Sequence, residues 1–252
     1  MEGSSTHLRC SVHIDLCALE RNLGKLRHFM GRERGYIALL SADAFGYGVE
    51  AAVVRLMLSG ADAFAVTNAE EGERVREVGP GWKIIVMSSS LPGEESAYFQ
   101  NDLIPVIASP EEAKRFEAAA KAEGRVLPVH FRLPVFGDAI PSFDDAVEML
   151  EVIVKSPFLK LEAFCVPGAG TGAPNEGAEP NAEFLEYAAR RLVGAGSSIY
   201  LHHADVCDIS AVPPVFGRAL RAGLVLFGIK PSEKSMLRGF EPERALTFKT
   251  SV

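Results

Sequence analysis

The chain has no excess of positive charge: its 26 lysines and arginines are outnumbered by 33 aspartates and glutamates, for a formal net charge of −7. That balance argues against nucleic acid or an anionic membrane surface as the main partner. The acids are spread along helix-like stretches, which reads as a solvated exterior. No apolar run approaches the roughly 18 residues needed to span a bilayer. Met1-Glu2-Gly3-Ser4-Ser5-Thr6 has no basic start followed by an apolar core, so no signal peptide is read there. Cysteine is scarce as well. Cys10, Cys17, Cys165 and Cys207 show no Cys-x-x-Cys spacing, and a chain of this length does not need disulfides. The expectation is a cytoplasmic protein. At 252 residues, 48% of them hydrophobic, the chain is long enough to bury a full core in one α/β domain.

Short apolar runs alternate with helical patterns along most of that length. Strands are predicted at 36–40, 63–67, 83–88, 104–108, 127–133, 159–166, 198–204 and 219–228, with helices over 50–59, 69–78, 110–122, 143–154 and 181–193. In the fourth of these helices the apolar positions Val147, Leu150, Ile153 and Val154 recur at helical spacing. Ser109-Pro110-Glu111-Glu112 reads as a helix start, with a hydroxyl cap, proline in the first position and acid in the first turn. Nearly all-apolar strands separated by helices imply a parallel sheet covered on its faces. Eight such units fit a closed (β/α)8 barrel, with an open doubly wound sheet as the rival.

The most informative stretch is Ser41-Ala42-Asp43-Ala44-Phe45-Gly46-Tyr47-Gly48, placed where a buried strand gives way to a loop. It resembles the cofactor-attachment motif of alanine racemases, Lys-Ala-Asp-Ala-Tyr-Gly-His-Gly. The likeness continues through the His13–Leu23 stretch, through Gly60-Ala61-Asp62-Ala63-Phe64-Ala65-Val66 with Glu70-Glu71-Gly72, and through Asn101-Asp102-Leu103-Ile104-Pro105-Val106. It ends in Leu220-Arg221-Ala222-Gly223-Leu224-Val225-Leu226-Phe227-Gly228. The resemblance implies a (β/α)8 TIM barrel of the alanine racemase N-terminal type over residues 17–240. Residues 1–16 and 241–252 are then strands left from a second, all-β domain whose remainder, with the family's tyrosine base, is absent. It also implies pyridoxal phosphate as cofactor and leaves a homodimer open.

Departures from the family pattern gather at the strand ends. Racemising an amino acid requires a base on each face of the α-carbon and an electron sink. The resemblance puts the Schiff-base lysine at position 41, where Ser41 has no amine to offer. Phe45 replaces a tyrosine whose hydroxyl reaches the phosphate, Ala139 replaces an arginine, and Arg132 replaces a lysine. Val166-Pro167 stands for Thr-His, and Val206 removes a phosphate-binding hydroxyl. Other parts of the pocket are kept. Arg221 aligns with the arginine that faces the pyridine nitrogen and His202 with the histidine that hydrogen-bonds it, while Gly223 and Leu224 keep the backbone that serves the phosphate. Backbone amides tolerate side-chain change, and the last strands of such barrels commonly hold phosphate. The candidate cofactor-binding residues are therefore Ser41, His202, Arg221, Gly223 and Leu224, with no catalytic residue assigned.

Several local features have plainer readings. His203, Asp205 and Cys207 share one strand face, but neighbours two apart on one strand rarely converge on an ion, so no metal site is assigned. Gly168-Ala169-Gly170-Thr171-Gly172-Ala173-Pro174-Asn175 lacks the ending of a nucleotide P-loop and reads as a rim loop. Glu94-Glu95 and Asp144-Asp145 favour helix dipoles and do not suggest a glycosidase. The leading expectation is a racemase-like barrel that has lost racemase catalysis and binds pyridoxal phosphate, or another phosphorylated small molecule, without a Schiff base at residue 41. The alternatives are a pyridoxal-phosphate-dependent racemase acting with a missing C-terminal part, and a structural partner of an active homologue.

Overall fold

Eight short strands pair in parallel and close on themselves: β2 (Gly35–Leu39), β3 (Ala63–Val66), β4 (Lys83–Val86), β5 (Leu103–Ile107), β6 (Leu127–Arg132), β7 (Leu159–Cys165), β8 (Tyr200–Ala204) and β9 (Gly217–Ala222). The computed structural model describes residues 9–135, 141–167, 180–192, 199–204 and 215–250. Closure is made by β9 returning to β2, with Ala38 opposite Ala222. The open-sheet alternative is thereby excluded. The strands read as continuous apolar runs because both faces are covered. One set of side chains, including Ile37, Ala65, Ile85, Val106, Cys165 and Ala219, fills the barrel interior. The alternate set, among them Tyr36, Phe64, Phe131, Phe164 and Leu201, packs outward under the helices.

The helices are α1 (Leu16–Met30), α3 (Val49–Leu58), α4 (Ala69–Val78), α5 (Glu95–Gln100), α6 (Pro110–Glu123), α7 (Phe143–Lys155) and α8 (Ala182–Leu192). The start predicted for α6 is present: Ser109 accepts the Glu112 amide and Pro110 occupies the first turn. In α7 the fully buried stripe is Ala146, Met149, Leu150 and Ile153, while Val147 and Val154 pack along its edge. The predicted spacing was right and its centre was one position off.

Two expectations need correction. The run 219–228 is not one strand. β9 ends at Ala222, and Leu224–Phe227 coils into a 3-10 turn ending at Gly228 with φ 93°. A Cβ on Gly228 would lie 2.4 Å from the Glu243 carbonyl oxygen, so a close backbone approach as well as the positive φ requires glycine there. Nor is the segment after β2 a loop. It is α2 (Ser41–Gly46), a single turn in which Ala42, Asp43, Ala44 and Phe45 all have φ between 53° and 56°. Four consecutive left-handed residues, none of them glycine, cost roughly 1–2 kcal/mol each, so their surroundings must hold them.

Outside the barrel, β1 (Cys10–Ile14) pairs antiparallel with β10 (Leu246–Thr250), Val12 opposite Phe248, as a two-stranded ribbon. Both strands are almost wholly exposed. Fully buried Asn22 anchors the start of this region to α1. It donates to the carbonyls of Leu226 (2.9 Å) and Glu243 (2.8 Å) and accepts from the Glu243 amide (2.7 Å).

Candidate functional site

The C-terminal ends of the barrel strands form the mouth at which ligands bind in this architecture. β2 and β9 are neighbours there, so the chain leaving β2 at Ser41 lies beside the chain leaving β9 at Gly223 and Leu224. The rest of the motif holds the rim. Glu71, at the third position of α4, accepts from the Ala42 amide (2.8 Å) and the Thr67 amide (2.7 Å) and so ties the left-handed turn to the exit of β3. Asp43 accepts from the Val49 amide at the start of α3 and from Arg74, both at 3.0 Å. The Phe45 ring packs edge-on to Phe227 with centroids 5.3 Å apart, and its tip comes within 3.4 Å of where a Cβ on Gly223 would stand. Ser41 is different: it is half-buried, and its hydroxyl makes no hydrogen bond among the described residues.

A buried polar column runs beneath the mouth. The Arg221 guanidinium, 6% exposed, donates from Nη1 to His202 Nδ1 (2.8 Å) and to the His202 carbonyl (3.0 Å), and it reaches Cys165 Sγ at 3.3 Å. Its Nη2 donates to the Val166 carbonyl at 2.6 Å. No carboxylate pairs with it among the described residues. Below it, His202 Nε2 is 3.0 Å from His130 Nδ1, and His130 Nε2 is 3.2 Å from the Tyr200 hydroxyl. Burial dominates the electrostatics. It pushes His130 down to about 3, helped by the charges of Lys83 and Arg221, and it pushes His202 well below its ordinary value. Burial raises the Cys165 thiol, with Arg221 and Arg132 opposing that shift.

Of the sequence-predicted residues, the fold brings His202 and Arg221 into direct contact and sets Ser41, Gly223 and Leu224 on adjacent strand exits. The carbonyls of Gly223 and Leu224 accept from the Leu226 and Ile229 amides. His203 points to the outer side of the sheet, where Nδ1 meets the Ala204 carbonyl at 2.8 Å. Ala139, the 168–175 loop, Asp205, Val206 and Cys207 lie outside the described residues. Among the described residues no three His, Cys, Asp or Glu side chains gather as a metal site, and no helix is long and apolar enough to cross a membrane. The sequence reading missed Tyr200, His130 and Cys165. Their signal was faint: Tyr200 and His202 are two apart on one strand, hence on one interior face.

The donor set does not fit a covalently held pyridoxal phosphate, the cofactor that the resemblance implies. All nine lysines of the chain lie within the described residues, and none stands at the C-terminal end of a barrel strand. Lys83 and Lys160 are at the opposite end, where both approach Glu162.

A model of the family described as alanine racemase, N-terminal domain, matches residues 14–231. The chain is 38% identical over 111 residues to an alanine racemase of Rhizobium meliloti, covering 44% of this chain and 29% of that protein. It is 26% identical over 230 residues to an alanine racemase of Nostoc sp., covering 89% of this chain and 60% of that protein. The chain therefore spans less than two thirds of the length of these curated relatives. Among solved structures, alanine racemase of Clostridium difficile 630 superposes with a TM-score of 0.78 at 22% identity, over 97% of this chain and 68% of that one. That likeness bears on the fold alone.

Proposed function

Because the chain belongs to the alanine racemase N-terminal domain family, we propose that it is a member without racemase activity whose barrel mouth takes a small phosphorylated ligand non-covalently. The observation that carries this reading is the chemistry at residue 41. A half-buried serine occupies the exit of β2, and none of the nine lysines stands at any strand's C-terminal end. A hydroxyl forms no imine and is a poor proton acceptor near neutral pH, so residue 41 offers neither an anchor for an electron sink nor a base.

In this reading the backbone at Gly223 and Leu224 receives the phosphate, as helical-turn starts do for anions. Arg221, fixed by His202, supplies the positive charge, and Ser41 contributes a hydroxyl at the rim. Pyridoxal phosphate is one ligand of this class.

Mixing the protein with pyridoxal phosphate, reducing with borohydride and mapping the peptides by mass tests the proposal. The expected result is no adduct at any mouth residue and no D-alanine formed from L-alanine. A reduced adduct on a mouth lysine, or racemisation by the unmodified protein, would overturn it. A second reading is favoured by the exposed β1–β10 ribbon and by the share of the relatives' length that the chain leaves unmatched. In it, the chain works with a further domain as a racemase of altered specificity, as a homodimer. A D-alanine assay on the full-length gene product, with and without Ser41→Lys, separates the two.

A further inference from the structure

The column of hydrogen bonds under Arg221 crosses the barrel from its mouth to its floor, and its direction follows from the chemistry of its members. Arginine only donates, so the His202 Nδ1 that it contacts must be the acceptor. A neutral His202 then carries its proton on Nε2 and donates to His130 Nδ1. His130 in turn must carry its proton on Nε2 and donate to the Tyr200 oxygen. Both histidines are fully buried, so protonating either beside the Arg221 cation is disfavoured, and their low proton affinity agrees with this. The rings also brace one another: His130 meets Tyr200 edge-on with centroids 5.6 Å apart at 87°, and meets His202 tilted at 53° with centroids 4.8 Å apart. The charged and titratable groups acting on the column are Lys83, Glu162 and Asp62 toward its foot, and Arg221, Arg132, Cys165 and His203 toward its head.

We infer that Arg221 sets the proton order of this relay, and that His130 and Tyr200, which touch no ligand, are positioning residues of the anion site. They hold His202 in the orientation that keeps the guanidinium fixed at the mouth, while Arg221 itself sets the tautomer. The inference rests on the reading of the mouth as an anion site and extends it. The ligand must bring negative charge or strong acceptors to Arg221, because no neighbour can neutralise that group by proton transfer.

Long-range proton–nitrogen NMR of the histidine side chains reads the tautomers directly, without any ligand. The expected result is that His202 and His130 are both neutral, with the proton on Nε2, and do not titrate between pH 5.5 and 8. Arg221→Met is expected to change the tautomer of His130 as well as that of His202, although His130 does not touch Arg221. Tyr200→Phe, nearly isosteric, is expected to leave both tautomers in place and to weaken inorganic phosphate binding about three- to tenfold, the worth of one lost hydrogen bond. A proton on Nδ1 of either ring, or a His130 unchanged in Arg221→Met, would overturn the relay. So would a Tyr200→Phe variant that binds phosphate as tightly as the parent. The expected tautomers in a protein that binds no phosphate would overturn the anion-site reading while supporting the relay.

Discussion

Glu71 and Glu112 occupy the same third position of helices α4 and α6, and each carboxylate ties the exit of its own strand to that of the strand before. Glu71 joins Thr67, after β3, to Ala42, after β2. Glu112 joins Ala108, after β5, to Ser90, after β4, with contacts of 2.7–3.0 Å. The same device recurs two units on.

Burial separates the expected costs of removing them. Glu112 is 2% exposed, and truncating it strands two buried amides and the Ser90 hydroxyl. Glu112→Ala is expected to lower stability by about 2–4 kcal/mol, and Glu71→Ala, nearer to solvent, by about 1–2 kcal/mol. Urea unfolding measures both. Equal losses would mean that burial does not set the strength of these ties.

The left-handed turn carries a conformational cost that glycine does not have. Ala42 is exposed at φ 53°, so Ala42→Gly gives up little packing and is expected to stabilise by up to about 1 kcal/mol. Ala44, in the same turn, is fully buried, and its loss of a methyl group works against the gain. A thermal scan showing Ala42→Gly less stable than the parent would count against strain at this position.

Acid is expected to unfold the protein through its buried histidines. Burial holds His130 at about 3, His203 at about 4 and His202 well below 6.5. Below about 6.5 the unfolded chain binds protons at these rings that the folded chain does not. Stability therefore rises with pH up to about 6.5 and falls as pH drops toward 4, by at most about 1.4 kcal/mol per pH unit for each histidine. Above pH 6.5 these groups contribute no slope. His203→Leu is the variant to compare, because His203 Nε2 is buried without a partner. Urea midpoints between pH 7 and pH 5 should show a shallower slope in the variant, and identical slopes would refute the assignment.

Restoring the amine separates attachment from turnover. Ser41→Lys is expected to give an imine with pyridoxal phosphate that borohydride fixes at residue 41. It is expected to give no D-alanine, because Phe45, Ala139, Pro167 and Val206 still depart from the family's residues. Racemisation by this single variant would show that position 41 alone had been limiting.

Much of the barrel was legible before folding. All eight strand positions and the caps of α6 lie in the local pattern, because parallel strands buried on two faces leave unmistakable apolar runs. Strand β9 was overextended, since Leu224-Val225-Leu226-Phe227 is equally apolar as a strand or as a buried turn, and only the approach of Gly228 to Glu243 distinguishes them. The site was legible in part. Ser41, His202 and Arg221 stood out against a family pattern, whereas Tyr200 and His130 were given no role from the sequence and act only through contacts across strands.

The sequence by itself determined the architecture and the missing amine, because apolar periodicity and the identity of residue 41 are properties of the chain alone. Only the tertiary structure decided that Ser41 opens a left-handed turn held by Glu71, and that Arg221 heads a column reaching Tyr200. Those hydrogen bonds join residues 19 to 72 positions apart, and a hydrogen bond between distant positions exists only once barrel closure has brought their strands together.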